Sequence, residues 1–562
     1  MAVQANQSQE KSMQLTMRLL REGVTTCAAL KDQSPLTKKN VINIEGAEFY
    51  IGTAFENPPE WTDFLTPHIE DMPEQEELKN QGVAAILMLP IPDTTRIMAL
   101  CFGYAHIWLD LDKCERDFGL KVTLNKVNTN QLKGLELSTP DAVTFNKRVS
   151  ASRASSLQEF NVDYNRELAF TASGKPEDTD FASVLAGNDS LKISCKVNFD
   201  TLPEKCKSIY DAYQSDEYKK NGFDWVDHIQ RIKEGDLLEE LDKLLYSTVN
   251  EMIDGESKDL HLFIPDLPDD LSFDKARFMG LGKRPPENEF DHLDVQNYVD
   301  LFDGKIDINK PEKIEECKSK HRLKIVSENG KHQEVKIYNS FVYEAEYNDG
   351  LYVLFRGQWY RVDKDFSKEV NAYFELFLTS SSTSIPNQTF MKNEEDLLED
   401  WKPKANLVLL DKTQINPQGE SHAKIEPCDF FSLKSEFIHL KDGHSSSNIS
   451  HLWNQGLVSA KCFIGDAKFR SDLKEKVKKR GRGKKGFLPL LPNPKTKFSS
   501  EQYTIVYGIM REPYQDGSLG LPFFSKVSFR SVATQLINMR FNVKVNLIRK
   551  EVRKDEDLGS AA

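Results

Sequence analysis

Apolar residues fall in short alternating or unbroken runs through the first 125 positions, in helical stripes from about 200 to 255, and in alternating runs again beyond 320. Residues 14–20, 47–51, 83–89 and 96–109 carry strand patterns, broken by acidic and proline-bearing turns such as Pro90-Ile91-Pro92-Asp93. Residues 23–30 can start a helix, 113–118 read as helical and 120–124 as a strand. A polar, disordered 1–12 followed by an N-terminal α/β domain at 13–125 is the expectation. From 126 to 170 the pattern is weak and polar, with SASRASS at 150–156, and 191–199 then alternate as a strand. Helices are expected at 202–213, 225–232 and 236–252. The last aligns Leu237, Leu238, Leu241, Leu244, Leu245 and Val249 on one stripe. Residues 285–315 are acidic and proline-bearing and read as a linker closing a helix-rich middle region, 126–315.

Beyond that point the chain turns to β. Residues 323–327 and 334–337 flank Glu328-Asn329-Gly330, and 342–346 and 351–355 flank Asn348-Asp349-Gly350; both are hairpin signals. Helical patterns follow at 369–378 and 393–401. Then come a buried-strand run at 407–410 ending in Asp411, strand patterns at 426–431 and 436–441, and a helix at 449–463. A strand at 504–510, a helix at 531–539 and a strand at 542–548 complete a C-terminal domain spanning 316–562. The expected fold class is multidomain α/β (α+β), with a mixed sheet flanked by helices at the C-terminal end.

Length supports several cores, since 562 residues exceed what one hydrophobic core covers. No run reaches the roughly 18 apolar residues of a membrane span, and MAVQANQSQEKSMQ lacks the basic-then-apolar order of a signal peptide. The expectations are a cytoplasmic location and no membrane partner. The eight cysteines are scattered with no CxxC pair, which argues against a zinc site and a disulfide framework. There is no P-loop, no H-E-x-x-H and no G-x-S-x-G. Net charge is −13, unfavourable to non-specific nucleic-acid binding, but 474–485 (KEKVKKRGRGKK) holds eight basic residues and one acid. Within it Lys478, Lys479, Arg480, Arg482, Lys484 and Lys485 are candidates for gripping a nucleic-acid backbone, and the two glycines suggest a loop.

The stretch 422–462 concentrates the chemistry. It contains four of the eleven histidines (His422, His439, His444, His451) and opens with Glu426 and Asp429. Strand alternation puts His439 and Lys441 on one face with Leu440 on the other. On the following helix His451 and Gln455 are four apart and share a face. Phosphodiester hydrolysis needs a cation, a nucleophilic water and a positive group at the scissile phosphate. Asp429 and Glu426 as metal ligands, His439 as ligand or base and Lys441 at the phosphate can supply these. The plainer reading has the acids capping a turn, His439 in the core and Lys441 in water.

The order of elements and the pair Asp429 and His439-Leu440-Lys441 resembles the PD-(D/E)XK nucleases, in which an acid on one strand and (D/E)-x-K on the next hold Mg²⁺. The resemblance implies Asp429 as the first metal ligand, Glu426 or Asp411 as a further one, and Gln455 as the orienting helix glutamine of some branches. His439 departs from that pattern, and imidazole shifts the implied ion from Mg²⁺ toward Mn²⁺. The wording ALCFGYAHIWLDLDKCERDFGLKVTLN, IEPCD, EFIHLK, SSSNISHLWNQGLVSA and LPFFSKVSFRSVATQL is similar to a sporadically distributed bacterial family of unknown function in mobile-element and phage-defence neighbourhoods. The resemblance implies a defence context. A metal-dependent nuclease acting on DNA is the leading expectation, and a non-catalytic protein recognising nucleic acid or a phage component is the alternative. A protein partner or homo-oligomer remains open.

Overall fold

The computed structural model describes residues 10–551 except 60, 75–76, 141–143, 145, 165–166, 233–234, 257, 266–274, 327–331, 379–382, 419–423, 444–445, 494–495 and 515–516. The chain divides into two compact units, Met1–Ser138 with Phe145–Val226, and Thr139–Thr144 with Asp227–Ala562. Among the described residues no helix is long and apolar enough to cross a membrane.

The first unit is built on a ten-stranded antiparallel sheet. Lys11–Leu19 lies near its centre between Ile97–Gly103 and Leu191–Val197. The boundary therefore falls at 226/227 rather than at 125/126 and 315/316, because strands from 126–197 complete the sheet begun by 11–103. Lys11 and Ser12, expected in a disordered tail, pair with Val197 and Lys196. The polar run at 150–156 lies largely in the edge strand Asn146–Ser155, where an outermost strand buries little and needs no apolar alternation. Residues 23–30 form turns rather than a helix. Residues 120–124 are not a strand but part of the helix Phe118–Lys126. Seven of its nine residues are buried, so no polar face marks the 3.6-residue period. This helix lies directly on the sheet: a Cβ at Gly187 would collide with the Gly119 carbonyl, so bare glycines set the approach.

Among the described residues the second unit contains three sheets. A five-stranded antiparallel sheet holds the expected hairpin Phe341–Tyr347/Gly350–Phe355, whose turn residues Asn348 and Asp349 adopt φ of 45° and 56°. Arg322–Val326 and His332–Lys336 pair as expected; Glu328-Asn329-Gly330 between them lies outside the described residues. The helix Asp236–Ile253 buries Leu241, Leu245 and Val249. Residues 225–232 are a 3-10 turn leading into the strand Ile229–Arg231, not a helix. Nor is 285–315 a linker: it carries the helix Val295–Val299, with Tyr298 fully buried, and the start of Pro311–Lys320.

His321 closes this core. It is 7% exposed, its Nδ1 lies 2.7 Å from the Tyr298 hydroxyl, and burial pushes its pKa from 6.5 down to about 4. Between pH 6.5 and about 4 the unfolded chain binds a proton at this position that the folded chain does not. Stability therefore falls as pH is lowered through that window, by up to about 3 kcal/mol. Urea midpoints at pH 7 and 4.5 are expected to differ more for the wild type than for His321→Gln. Equal differences would assign the acid sensitivity to other groups.

The C-terminal sheet is mixed, in the order Gln388–Thr389, Asn542–Lys550, Thr504–Arg511, Glu436–Asp442, Phe430–Ser432, Leu407–Leu409. The first four run parallel and the last two join as an antiparallel meander. Strand alternation sorts its core. Phe437 packs with Trp453 and Phe463 of the helix Ser446–Gly465 and with Phe529 of Phe523–Asn538. Ile438 and Leu440 pack on the other face with Leu397, Leu398 and Trp401 of the helix Glu394–Trp401.

Candidate metal centre

Three strand ends on one side of this sheet create the site. Leu407–Leu409 runs out into Asp411, and Asp429 immediately precedes its antiparallel neighbour Phe430–Ser432. The amides of Leu410 and Asp411 both donate to the Asp429 carbonyl, at 2.7 and 3.2 Å, clamping the two acids together. The Asp429 amide donates to Ile438, and the Leu440 amide donates at 2.6 Å to Asp429 Oδ2. The Lys412 amide donates to Glu426, drawing the third acid in. Carboxylate oxygens of Asp411, Glu426 and Asp429 all lie within 4.8 Å of one another.

The electrostatics are those of an under-compensated negative site. Asp429 is 7% exposed, and burial pushes its carboxyl well above the ordinary range. The Leu440 N–H opposes this, while Glu426, Glu394 and Asp411 add to it. Glu426 is raised by burial and by Asp411 and Glu394, against the Lys412 amide and Lys441. Lys441 Nζ lies 2.9 Å from Glu394 in the first turn of Glu394–Trp401. An all-oxygen carboxylate set of this density fits a hard divalent cation such as Mg²⁺ or Mn²⁺.

His439 is not part of this group. It is 2% exposed beneath the helix Ser446–Gly465, its Nε2 lies 3.4 Å from Ser459 Oγ and its ring centre 6.0 Å from that of Tyr507. Burial pushes its pKa down to about 3, which leaves the imidazole neutral at physiological pH. Alternation does place it on the face expected, but that face is covered by helix, whereas Lys441, two residues on, reaches past the sheet end to Glu394. On the same helix Gln455 is half-buried and His451 exposed, and among the described residues no hydrogen bond joins either to the acids. His422 and His444 lie outside the described residues. Glu394 was not singled out from the sequence. An acid in the first helical turn is common for dipole reasons alone, and nothing local links it to a lysine 47 positions later.

The basic stretch is not a loop over most of its length. Ala467–Arg480 is a helix, N-capped by Asp466, with Lys478, Lys479 and Arg480 in its last turn, where cations suit the dipole. Val477 is buried and anchors it, and this apolar residue inside the run is what the charge pattern masked. Lys478, Lys479, Arg480, Arg482 and Lys485 are exposed. Lys484 is not available to a ligand: its Nζ donates to the carbonyls of Lys402, Lys404 and Leu407 at 2.6–2.8 Å, and burial lowers its pKa. It ties the basic turn to the end of the helix that carries Glu394.

A family model described as a family of unknown function (DUF6119) matches residues 15–549. The chain belongs to the DUF6119 family. The match runs through both units, so in this DUF6119 protein the acid cluster and the N-terminal sheet are parts of one family architecture. No curated protein and no solved structure matches it.

Proposed function

We propose that this DUF6119 protein is a metal-dependent nuclease, acting on DNA in bacterial defence against phage or other foreign elements. One observation carries the reading: three carboxylates converge within 4.8 Å of one another, two beside the ends of adjacent strands and Glu426 in the segment between them, with Lys441 near. The order of helix, three antiparallel strands, a crossover of two helices and a parallel strand supports it, since it resembles the order of the PD-(D/E)XK core. Asp411, Glu426 and Asp429 would hold Mg²⁺ or Mn²⁺. A bound cation supplies charge neutralisation at the phosphate and an activated water. Lys441, released from Glu394 when a phosphate approaches, offsets charge on the scissile group. The exposed cations at 478–482 would track the backbone.

The second reading, a non-catalytic recognition protein of a defence system, has its own support. His439 stands where the PD-(D/E)XK pattern has its second acid, and it is buried away from the cluster.

The test is purified full chain on plasmid and single-stranded DNA with Mg²⁺, Mn²⁺ or EDTA, wild type beside Lys441→Ala. Cleavage that needs metal and disappears in the variant is expected, with a nearly unchanged melt because a partly exposed ion pair contributes little. Neutralising Lys478, Lys479, Arg480 and Arg482 together is expected to lower the salt dependence of binding by up to about 4 in log–log slope. Salt-sensitive binding without cleavage by any metal form selects the recognition reading. An unchanged cleavage rate in Lys441→Ala removes that lysine from the mechanism.

A further inference from the structure

The N-terminal sheet carries a hollow that the nuclease reading does not use. It has a volume of about 640 Å³, within the range of small-molecule sites. Its floor is apolar side chains of four strands, among them Leu15, Phe49, Leu87 and Leu100. Its rim leaves large apolar groups in water: Met13 is 42%, Phe199 41% and Ile42 77% exposed. Exposed apolar groups gathered round an open hollow mark a binding surface rather than scattered surface residues.

The polar groups indicate the occupant. Among the lining residues only Asn40 and Asn198 are polar, so nothing inside the hollow solvates a charge. At two margins, however, the sheet places lysines on the same face. Lys11 stands directly opposite Val197 and Lys39 directly opposite Phe49, and cross-strand partners share a face. Both lysines are exposed, and neither has an acidic partner among the described residues. Their neighbour Lys38, on the other face, is paired with Glu48 at 2.6 Å.

We propose that this hollow binds one amphiphile of the long-chain fatty acid class, its aliphatic chain against Leu15, Leu87 and Leu100 and its anionic head at Lys11 and Lys39. The experiment uses the full chain and cis-parinaric acid, a fluorescent long-chain carboxylate, with palmitate and methyl palmitate as competitors. Saturable uptake displaced by palmitate is expected. Ala85→Trp, which adds bulk on the floor, is expected to abolish uptake with folding checked by circular dichroism. Lys11→Glu with Lys39→Glu, a surface change that spares the core, is expected to weaken palmitate about tenfold and leave methyl palmitate unchanged. Absence of saturable uptake, or uptake indifferent to both variants, overturns the proposal. Equal competition by acid and ester overturns the role of the lysines. A dimer in sedimentation that Ile42→Ser dissociates overturns it in favour of a second copy of the chain. None of these outcomes depends on DNA cleavage.

Discussion

Asp429→Asn is expected to reduce metal-dependent DNA cleavage by about a thousandfold, roughly 4 kcal/mol of transition-state stabilisation. The substitution is nearly isosteric, and an amide oxygen can still accept from the Leu440 N–H, the contact that fixes Asp429 between two strands. What is lost is one negative charge from a buried group crowded by Glu426, Glu394 and Asp411. The metal-free variant should therefore melt at or above the wild-type temperature, because like-charge crowding is relieved. Added Mn²⁺ should raise the wild-type melt, by the equivalent of about 2.7 kcal/mol at a hundred times Kd, and leave the variant almost unmoved. Scanning calorimetry with and without Mn²⁺ separates the two terms. Equal metal-induced shifts in both proteins would show that Asp429 holds no cation.

The largest effect on stability is expected from Asp242→Ala. Asp242 is 5% exposed on the helix Asp236–Ile253, and its carboxylate accepts from three groups: the Tyr338 hydroxyl at 2.6 Å, the Trp359 indole at 2.9 Å and Lys318 Nζ at 2.8 Å. Alanine leaves a buried hydroxyl, a buried indole N–H and a cation without their acceptor, a cost of about 3–5 kcal/mol. Asp242→Asn keeps an acceptor for the two neutral donors and loses only the charge opposite Lys318, so it should lose clearly less. Urea unfolding followed by tryptophan fluorescence reads both, since Trp359 is itself in the network. A loss under about 1 kcal/mol in the alanine variant would mean that water replaces the carboxylate.

Much of the C-terminal unit was legible from local rules. Asn348-Asp349-Gly350 named its hairpin because only a few residue types accept left-handed φ at two successive positions. The leucine stripe at 237–249 named its helix, and the alternation at 436–441 named the strand that carries Lys441. Asp411, Glu426 and Asp429 were singled out because acids at the ends of neighbouring strands can converge. Other elements gave no such signal. The helix Phe118–Lys126 is buried on nearly every side, so its apolar run could not be told from a strand. The basic run hid a helix because Val477 alone marks its inner face there.

Local pattern specified the mixed α/β character, the order of the strands around the acid cluster, and the placing of Asp411 and Asp429 beside strand ends, because hydrophobic period and turn chemistry act over a few residues. Tertiary structure alone decided that 126–197 complete the first sheet, that His439 is shut beneath a helix, and that Lys484 ties a helix end. It also decided that Glu394 holds Lys441. Each of these depends on which surfaces meet across tens of residues, and that choice is made by packing the whole sheet against its helices, where no local pattern records the partner.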